Sequence, residues 1–273
     1  MDLHSHSTAS DGTFRPAELV ALAAQRGIRF LGLTDHDSTE GLREADKAGR
    51  ELGVTVIPGV ELGTEVTTGE LHMLGYFIDP SSPVFQEALA AFRNARQTRV
   101  EQMLRQLAAI GVTIPLTEVE RLATGAIGRA HVARALISAG YAESMDDAFA
   151  RYLGRGRPGY VPRARLTPVA AVELIRAAGG APVLAHPYSV ADLDRALAEL
   201  TAAGLAGMEA YYAEYTPEQR DALVRIAAKY GLIPSGGSDF HGLDGREGRT
   251  LGAAWVPPET VDRLRLAATG VAH

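Results

Sequence analysis

Six histidines and three acidic residues stand at or near the ends of short apolar runs, where a strand would meet a loop. One residue separates His4 from His6, and one separates Asp239 from His241, so each pair is expected to project to one side of a strand. Imidazole and carboxylate groups held in this way can share a metal ion. The candidate ligands are His4, His6, Asp11, His36, Glu61, His72, His186, Asp239 and His241.

The types of these side chains predict the kind of metal site. Buried carboxylates and imidazoles without partners would be costly, and bound cations would offset that cost. Nine ligands exceed what one ion with an open position can use, so we expect two or three ions. The chain has no cysteine, and ligation by nitrogen and oxygen suits Mn²⁺, which we expect, or Fe²⁺ or Zn²⁺. Adjacent ions that share a carboxylate are typical of phosphate ester hydrolysis.

The apolar pattern predicts the elements that position these residues. Candidate strands alternate with helices over residues 1–80 and 167–273, including a strand at 253–256. This alternation favours an α/β fold with a largely parallel sheet, and a count of seven strands suggests a barrel. The carboxyl ends of barrel strands build the active site, so the candidate ligands would converge at one mouth.

Residues 81–166 are predicted to form a small helical domain inserted after the fourth strand. Ser82-Pro83 would begin a long helix, and Thr117 with Glu120 has the pattern of a capping box. The segment has 12 Arg, no Lys and 7 acidic residues, a net charge of +5, whereas the remainder carries −11. Because a guanidinium forms forked pairs with phosphate oxygens, we expect this segment to cap the site and bind phosphate.

Within the insertion, two motifs supply candidate substrate-binding residues: Arg129, His131, Arg155, Arg157 and Tyr160. The first two lie near a predicted helix N-terminus, which favours anions. The last three lie in a Gly/Pro loop that suits either a nucleotide or a plain connector. Arg134 is expected to be a solvated surface charge. Asp35 is expected to orient a ligand imidazole, and Glu209 to accept a hydrogen bond or pair with an arginine.

Composition excludes several classes of protein. With 46% hydrophobic and 22% charged residues, the chain is an ordinary globular sequence. Its net charge of −6 argues against extended binding to duplex DNA. The first ten residues lack the basic and apolar regions of a signal peptide, and no apolar run approaches the ~18 residues of a spanning helix. We therefore expect a cytoplasmic protein with no membrane association.

Six motifs carry a family resemblance: HSHSTASDG, TDHD, PGVE, ELH, AHP and SDFH, in this order. They resemble the PHP (polymerase and histidinol phosphatase) superfamily over the whole chain. GRAHVARAL and YLGRGRPGYVP further resemble the stand-alone branch with the tryptophan-operon-linked proteins. That branch resembles nucleoside 3′,5′-bisphosphate phosphatases and 5′→3′ exoribonucleases of short RNA. The resemblance implies a distorted (β/α)7, TIM-like barrel.

The resemblance also implies a trinuclear metal centre. Its three ions would be held by these sets: His4, His6, Glu61 and Asp239; Glu61, His72 and His186; and Asp11, His36 and His241. A hydroxide bridging two ions would attack phosphorus, with Glu61 and Asp239 as catalytic residues. The leaving group would be assisted by a third ion, by His241 or by a water that His241 holds.

The expected substrate is a small phosphorylated nucleotide or a short single-stranded RNA, and no protein partner is indicated. Three alternatives stay open. A histidinol-phosphate phosphatase would share the core without needing an Arg-rich cap. An amidohydrolase-type deaminase or lactonase typically adds a strand-end lysine, whereas Lys47 and Lys229 lie in predicted helices. A non-catalytic accessory domain would be favoured by lost ligands, but all nine are present.

Overall fold

The computed structural model describes residues 1–66, 69–123, 125, 127–162, 166–242 and 250–269. Within this part of the chain, seven strands form one sheet in sequence order: Asp2–Ser5 (β1), Phe30–Leu33 (β2), Thr55–Val66 (β3), Gly69–Tyr76 (β4), Ala181–Leu184 (β5), Gly207–Tyr212 (β6) and Ile233–Gly237 (β7). Phe240, beyond the end of β7, pairs with Ser5, the last residue of β1, and His6 N donates to Phe240 O at 2.9 Å. The sheet therefore curls into a nearly closed barrel, which confirms the predicted fold.

The expectation of a largely parallel sheet is wrong at β4, which runs antiparallel to both β3 and β5. β3 and β4 form a hairpin, so the chain returns directly and needs no helical crossover. The hairpin has a useful consequence, because His72 lies opposite Gly63 towards the carboxyl end of β3. Residues 253–256, predicted as a strand, form none, and Trp255 is exposed there.

Ten α-helices surround or extend the sheet in the described residues: Pro16–Gln25 (α1), Leu42–Leu52 (α2), Pro83–Ala108 (α3), Leu116–Leu122 (α4), Arg129–Ser138 (α5), Met145–Ala148 (α6), Pro168–Ala177 (α7), Leu193–Ala203 (α8), Pro217–Lys229 (α9) and Thr260–Ala268 (α10). A π-helical turn follows α6 over Phe149–Leu153, and a 3₁₀ turn covers Pro187–Ser189. The capping box predicted at Thr117 and Glu120 is wrong, because Pro115 takes the N-cap position and places Thr117 inside the first turn. None of the described helices is long and apolar enough to cross a bilayer.

The insertion has an apolar core of its own, formed by residues such as Met103, Leu136 and Leu153 between positions 100 and 161. The first turns of α3 belong elsewhere, since Phe85 and Leu89 pack into the core between the sheet and its outer helices. One 26-residue helix thus connects the two cores. Division of the chain at 80/81 and 166/167 stays a prediction.

His131 attaches the insertion to the barrel. Its side chain is buried, and its Nδ1 accepts a hydrogen bond from Gly128 N at 3.1 Å. The ring also lies against the backbone of Ser10, in the loop after β1. Burial lowers the pKa of His131 to about 4, so the imidazole is neutral at pH 7.

The lowered pKa makes this attachment sensitive to acid. Because the folded-state pKa is about 4, below the usual ~6.5, unfolded chains take up the proton first as pH falls. The contribution of His131 is fully present above pH ~6.5 and is lost as the pH falls towards 4, a change of about 3 kcal/mol. We expect the stability advantage of the wild type over His131→Asn to shrink by this amount between pH 7 and pH 4. Urea unfolding with chelator present measures it, and a pH-independent advantage would contradict the assignment.

Candidate metal centre

The candidate ligands meet where the first and last strands close the barrel. His4 lies on β1 and His6 just beyond its end. Both side chains point into the site and are fully buried. Their ring centroids are 5.2 Å apart, and Asp239 Oδ1 lies 3.3 Å from His4 Nε2 and 3.1 Å from His6 Nε2. The two sequence motifs spaced by one residue therefore face each other across the closure.

Glu61, on β3, lies at the centre of the site, and its side chain is 1% exposed. Ring nitrogens of five histidines lie 2.7 to 3.3 Å from its carboxylate oxygens: His4, His6, His36, His72 and His186. Burial alone would raise the pKa of Glu61, but the neighbouring imidazoles, with His36 foremost, hold that pKa well below its usual range. An ionised carboxylate therefore bridges the histidines of different strands.

Three groups of side chains have ligand atoms within 4.8 Å of one another: His4, His6, Glu61 and Asp239; His6, Asp11, His36 and His241; and His36, Glu61 and His72. The first group is the set implied for one ion by the family resemblance. The second adds His6 to the implied set, and the third contains His36 where His186 was expected. His186 Nε2 nevertheless lies 3.3 Å from Glu61 Oε1. The structure thus brings all nine candidates together, while their assignment to individual ions stays a prediction.

Unpaired ring nitrogens test whether cations fit here. Both nitrogens of His6 and Nδ1 of His36 are buried with no hydrogen-bond partner, although carboxylate oxygens lie 3.1 to 3.2 Å from His6 Nε2 and His36 Nδ1. Burial lowers the pKa of His36 to about 3, so its ring is neutral and offers a lone pair. A neutral imidazole at His36, and ring nitrogens of His6 and His36 that face carboxylate oxygens without hydrogen bonds to them, suit a divalent cation. The residues fit the implied metal ions.

Glu209 and Tyr212 form hydrogen bonds with candidate ligands. Glu209 Oε1 lies 2.9 Å from His4 Nδ1, and Oε2 accepts from His186 N at 2.7 Å. Of the two roles expected for Glu209, the structure therefore confirms that of a hydrogen-bond acceptor. Tyr212 Oη donates to Asp239 Oδ2 at 2.8 Å. Such partners fix the orientation of a ligand and raise its affinity for a cation.

Asp35 does not orient an imidazole, so that expectation is wrong. Its carboxylate accepts from Ser7 N, Ser7 Oγ and Ser10 Oγ, each at 2.7 Å. The loop after β1 presents these three donors together, and a buried carboxylate satisfies all of them. Asp35 therefore shapes the loop that carries Asp11.

Backbone strain is concentrated at the site. Among the described residues, four that are not glycine have a left-handed backbone, and three of these are Asp37 (φ 49°), His186 (φ 30°) and Asp239 (φ 53°). His186 and Asp239 are candidate ligands, and Asp37 directly follows His36. Such conformations persist where surrounding contacts hold them, and they are common at functional sites.

A cavity of about 490 Å³ opens above the ligands. Seven of the nine candidates line one side of it, together with Tyr188, Tyr212 and Tyr215. Four arginines of the insertion line the other side: Arg96, Arg99, Arg129 and Arg134. A substrate in this cavity would therefore contact the candidate metal ligands and a basic wall at once.

Of the five predicted substrate-binding residues, one lines the cavity and four lie elsewhere. Arg129 lines the cavity, with its guanidinium 5.6 Å from the centre of the Phe149 ring. His131 is buried against the Ser10 loop, whereas Arg155 and Arg157 are exposed and Tyr160 is half-buried, all outside the cavity lining. A role for these four in binding substrate stays a prediction.

Sequence reasoning missed three of the four cavity arginines. Arg134 was expected to be solvated, but it is only partly exposed and its Nη2 donates to Asp11 O at 2.7 Å. Arg96 and Arg99 lie three residues apart on one face of α3. The same spacing separates Arg93 from Arg96. This regular spacing is the signal in the sequence that could have found them.

Comparisons with known proteins agree with this site. Residues 2–153 match the family model described as PHP domain. The chain belongs to the PHP family. This PHP protein is 37% identical over 249 residues to the 5′-3′ exoribonuclease Rnm of Escherichia coli strain K12, covering 88% of this chain and 84% of that one. It is 35% identical over 258 residues to the 3′,5′-nucleoside bisphosphate phosphatase of Chromobacterium violaceum, covering 92% and 90%.

A solved structure extends the agreement to the fold. A crystal structure from Bifidobacterium adolescentis, of a protein proposed to be a metal-dependent phosphoesterase, superposes with a TM-score of 0.90 at 32% identity. The match covers 98% of this chain and 95% of that chain. The family resemblance drawn from the motifs is confirmed, and this PHP protein is a metal-dependent phosphoesterase, a hydrolase.

The central position of Glu61 leads to a direct test. Glu61→Gln keeps the size of the side chain and removes the charge that faces five imidazoles. We expect the loss of at least one bound cation per chain, and a fall in aryl phosphate hydrolysis larger than the ~100-fold caused by removing a ligand's hydrogen-bond partner. Metal content by mass spectrometry and phosphate release measure the two effects.

Glu214→Gln is the matched control, because Glu214 lines the same cavity but is exposed and outside the three ligand groups. It should keep the wild-type metal content. If Glu61→Gln also keeps it, the central role of Glu61 is wrong.

Proposed function

We propose that this PHP phosphoesterase hydrolyses phosphate esters of nucleotides, namely nucleoside 3′,5′-bisphosphates and short RNA with a 5′-phosphate, degraded in the 5′→3′ direction. The observation that carries the proposal is the cavity with candidate metal ligands on one side and four arginines on the other. A monophosphate ester needs only the metal side. A basic wall suits a second anionic group on the same substrate.

Aromatic side chains support a nucleotide over another diphosphorylated molecule. Tyr188 is 48% exposed at the cavity, and its ring lies perpendicular to that of Tyr215 at a centroid distance of 4.9 Å. Tyr212 and Tyr215 are also 4.9 Å apart, next to His186. Base stacking on aromatic rings tolerates any base. The relatives named above act on nucleoside bisphosphates or on RNA ends, in agreement with this proposal.

The nine candidate residues would hold two or three divalent ions, with Mn²⁺ expected. When bound, such ions activate water as a nucleophile near neutral pH and offset charge on the phosphoryl oxygens. Glu61 and Asp239 then supply the anionic oxygens that balance this positive charge at the reaction centre. The arginine wall orients the substrate by binding its second phosphate, so that the scissile ester faces the ligands.

Hydrogen bonding assigns the protons on two histidines. His241 Nδ1 lies 2.8 Å from Asp239 O, and a carbonyl can only accept, so Nδ1 carries the proton. His4 Nδ1 likewise donates to the Glu209 carboxylate. In both rings Nε2 faces the site and is the nitrogen left to hold a cation. This tautomer of His241 suits a metal ligand better than a proton donor to the leaving group.

The proposal is tested by phosphate release from Mn²⁺-loaded protein. Adenosine 3′,5′-bisphosphate, 5′-phosphorylated oligoribonucleotides and histidinol phosphate are compared at equal concentrations. We expect preference for the first two, because histidinol phosphate has no second phosphate for the arginine wall. Preference for histidinol phosphate would overturn the nucleotide proposal while keeping the metal site. No turnover of any, with cations bound, would favour the accessory domain or an amidohydrolase.

Arg129→Ala separates specificity from catalysis. We expect kcat/KM for adenosine 3′,5′-bisphosphate to fall roughly 10- to 100-fold, the value of about 1.5–3 kcal/mol for a hydrogen bond to a charged group. Hydrolysis of an aryl phosphate should change little, because it has no second phosphate. Arg105→Ala, which changes an exposed arginine of α3 outside the cavity lining, is the control. A parallel fall on both substrates would show that Arg129 acts in structure or catalysis.

A further inference from the structure

The loop Ser7–Gly12, which carries Asp11, belongs to a partly exposed part of the candidate site. The side chains of Asp11, His36 and His241 are 15%, 13% and 19% exposed, whereas those of His4 and Glu61 are 0% and 1%. We name Asp11, His36 and His241 the outer group. Asp11 Oδ1 is 3.5 Å from His241 Nε2, and Oδ2 is 4.0 Å from His36 Nε2. Such a loosely enclosed group needs its loops held from outside to keep this geometry.

The insertion holds the Asp11 loop at three successive residues. A Cβ on Gly125 would lie 2.1 Å from Ala9 O, so the two backbones are in direct contact. The buried ring of His131 lies against the Ser10 backbone. Arg134 Nη2 donates to Asp11 O at 2.7 Å. On its other side the loop is bound by the buried carboxylate of Asp35.

The same insertion also holds the loop after His36. Asp37 is buried in a left-handed conformation, and Arg96 Nε donates to its Oδ2 at 2.5 Å. The guanidinium of Arg96 in turn lies against Gly128, where an added Cβ would be 2.9 Å from Nη1. Arg134 on α5 therefore binds the backbone of Asp11, and Arg96 on α3 binds Asp37, the residue after His36.

We propose that the insertion is a structural part of the metal centre: Arg134 and Arg96 are positioning residues that set the affinity of a cation held by the outer group. The proposal rests on the metal ligation assumed in the proposed function. It assigns the two arginines a role besides binding substrate, because each reaches a ligand loop and lines the cavity. A cation held by the buried group His4, His6, Glu61 and Asp239 does not depend on these contacts.

The test is Mn²⁺ binding by Arg134→Met, measured by equilibrium dialysis and metal analysis without any substrate. Methionine keeps the apolar stem of arginine but cannot donate to Asp11 O. We expect one of the equivalents that the wild type binds to bind roughly 10- to 100-fold more weakly in the variant. Arg134→Lys, which can still donate to the carbonyl, should recover part of the loss.

Arg99→Met is the matched control, because Arg99 lines the same cavity while its Nε donates to Val161 O within the insertion, at 2.7 Å. It should bind Mn²⁺ as the wild type does. The proposal is overturned if the Arg134→Met and wild-type titrations superimpose, or if the variant loses all equivalents together. Because no substrate is used, this result stands whether or not the nucleotide proposal holds.

Discussion

An ionised carboxylate buried among imidazoles is the constraint on which the rest of this structure depends. Glu61 is removed from water and surrounded by ring nitrogens from five histidines. Transfer of such a charge into the interior costs several kcal/mol unless compensating charges and hydrogen bonds surround it. The fold supplies these from many directions, and cations would complete the compensation. Strained backbones at His186 and Asp239 are tolerated within the same cluster.

The barrel makes this convergence possible because each strand delivers only one or two ligands. β1, β3 and β4 bring His4, Glu61 and His72 to one mouth, and residues beyond the ends of β1, β2, β5 and β7 add the others. The antiparallel hairpin of β3 and β4 serves the site directly, since it brings His72 Nδ1 within 2.7 Å of Glu61. Placing the basic helices in an insertion leaves this arrangement of strands unchanged.

The strand-end ligands could be predicted because their signal is local. A strand repeats every two residues, so His4 with His6 indicates one face without knowledge of the rest of the fold. Contacts between distant segments could not be predicted. The hydrogen bond from Ser7 to Asp35 depends on how the loops after β1 and β2 meet. The hydrogen bond from Arg134 to Asp11, across 123 residues, depends on how the insertion docks. The direction of β4 was missed because alternating helices and strands elsewhere favoured a parallel reading.

The closure between Ser5 and Phe240 has a consequence for the order of folding. The histidines beside β1 and the Asp239-Phe240-His241 segment are separated by more than 230 residues, yet they share ligand groups. A newly made chain therefore carries His4 and His6 through most of synthesis without Asp239 and His241. Contacts of such long range form late and slow the folding reaction. The ligand groups that cross this closure assemble only once β7 is in place. Binding of cations there would stabilise the closed barrel as the last step of folding.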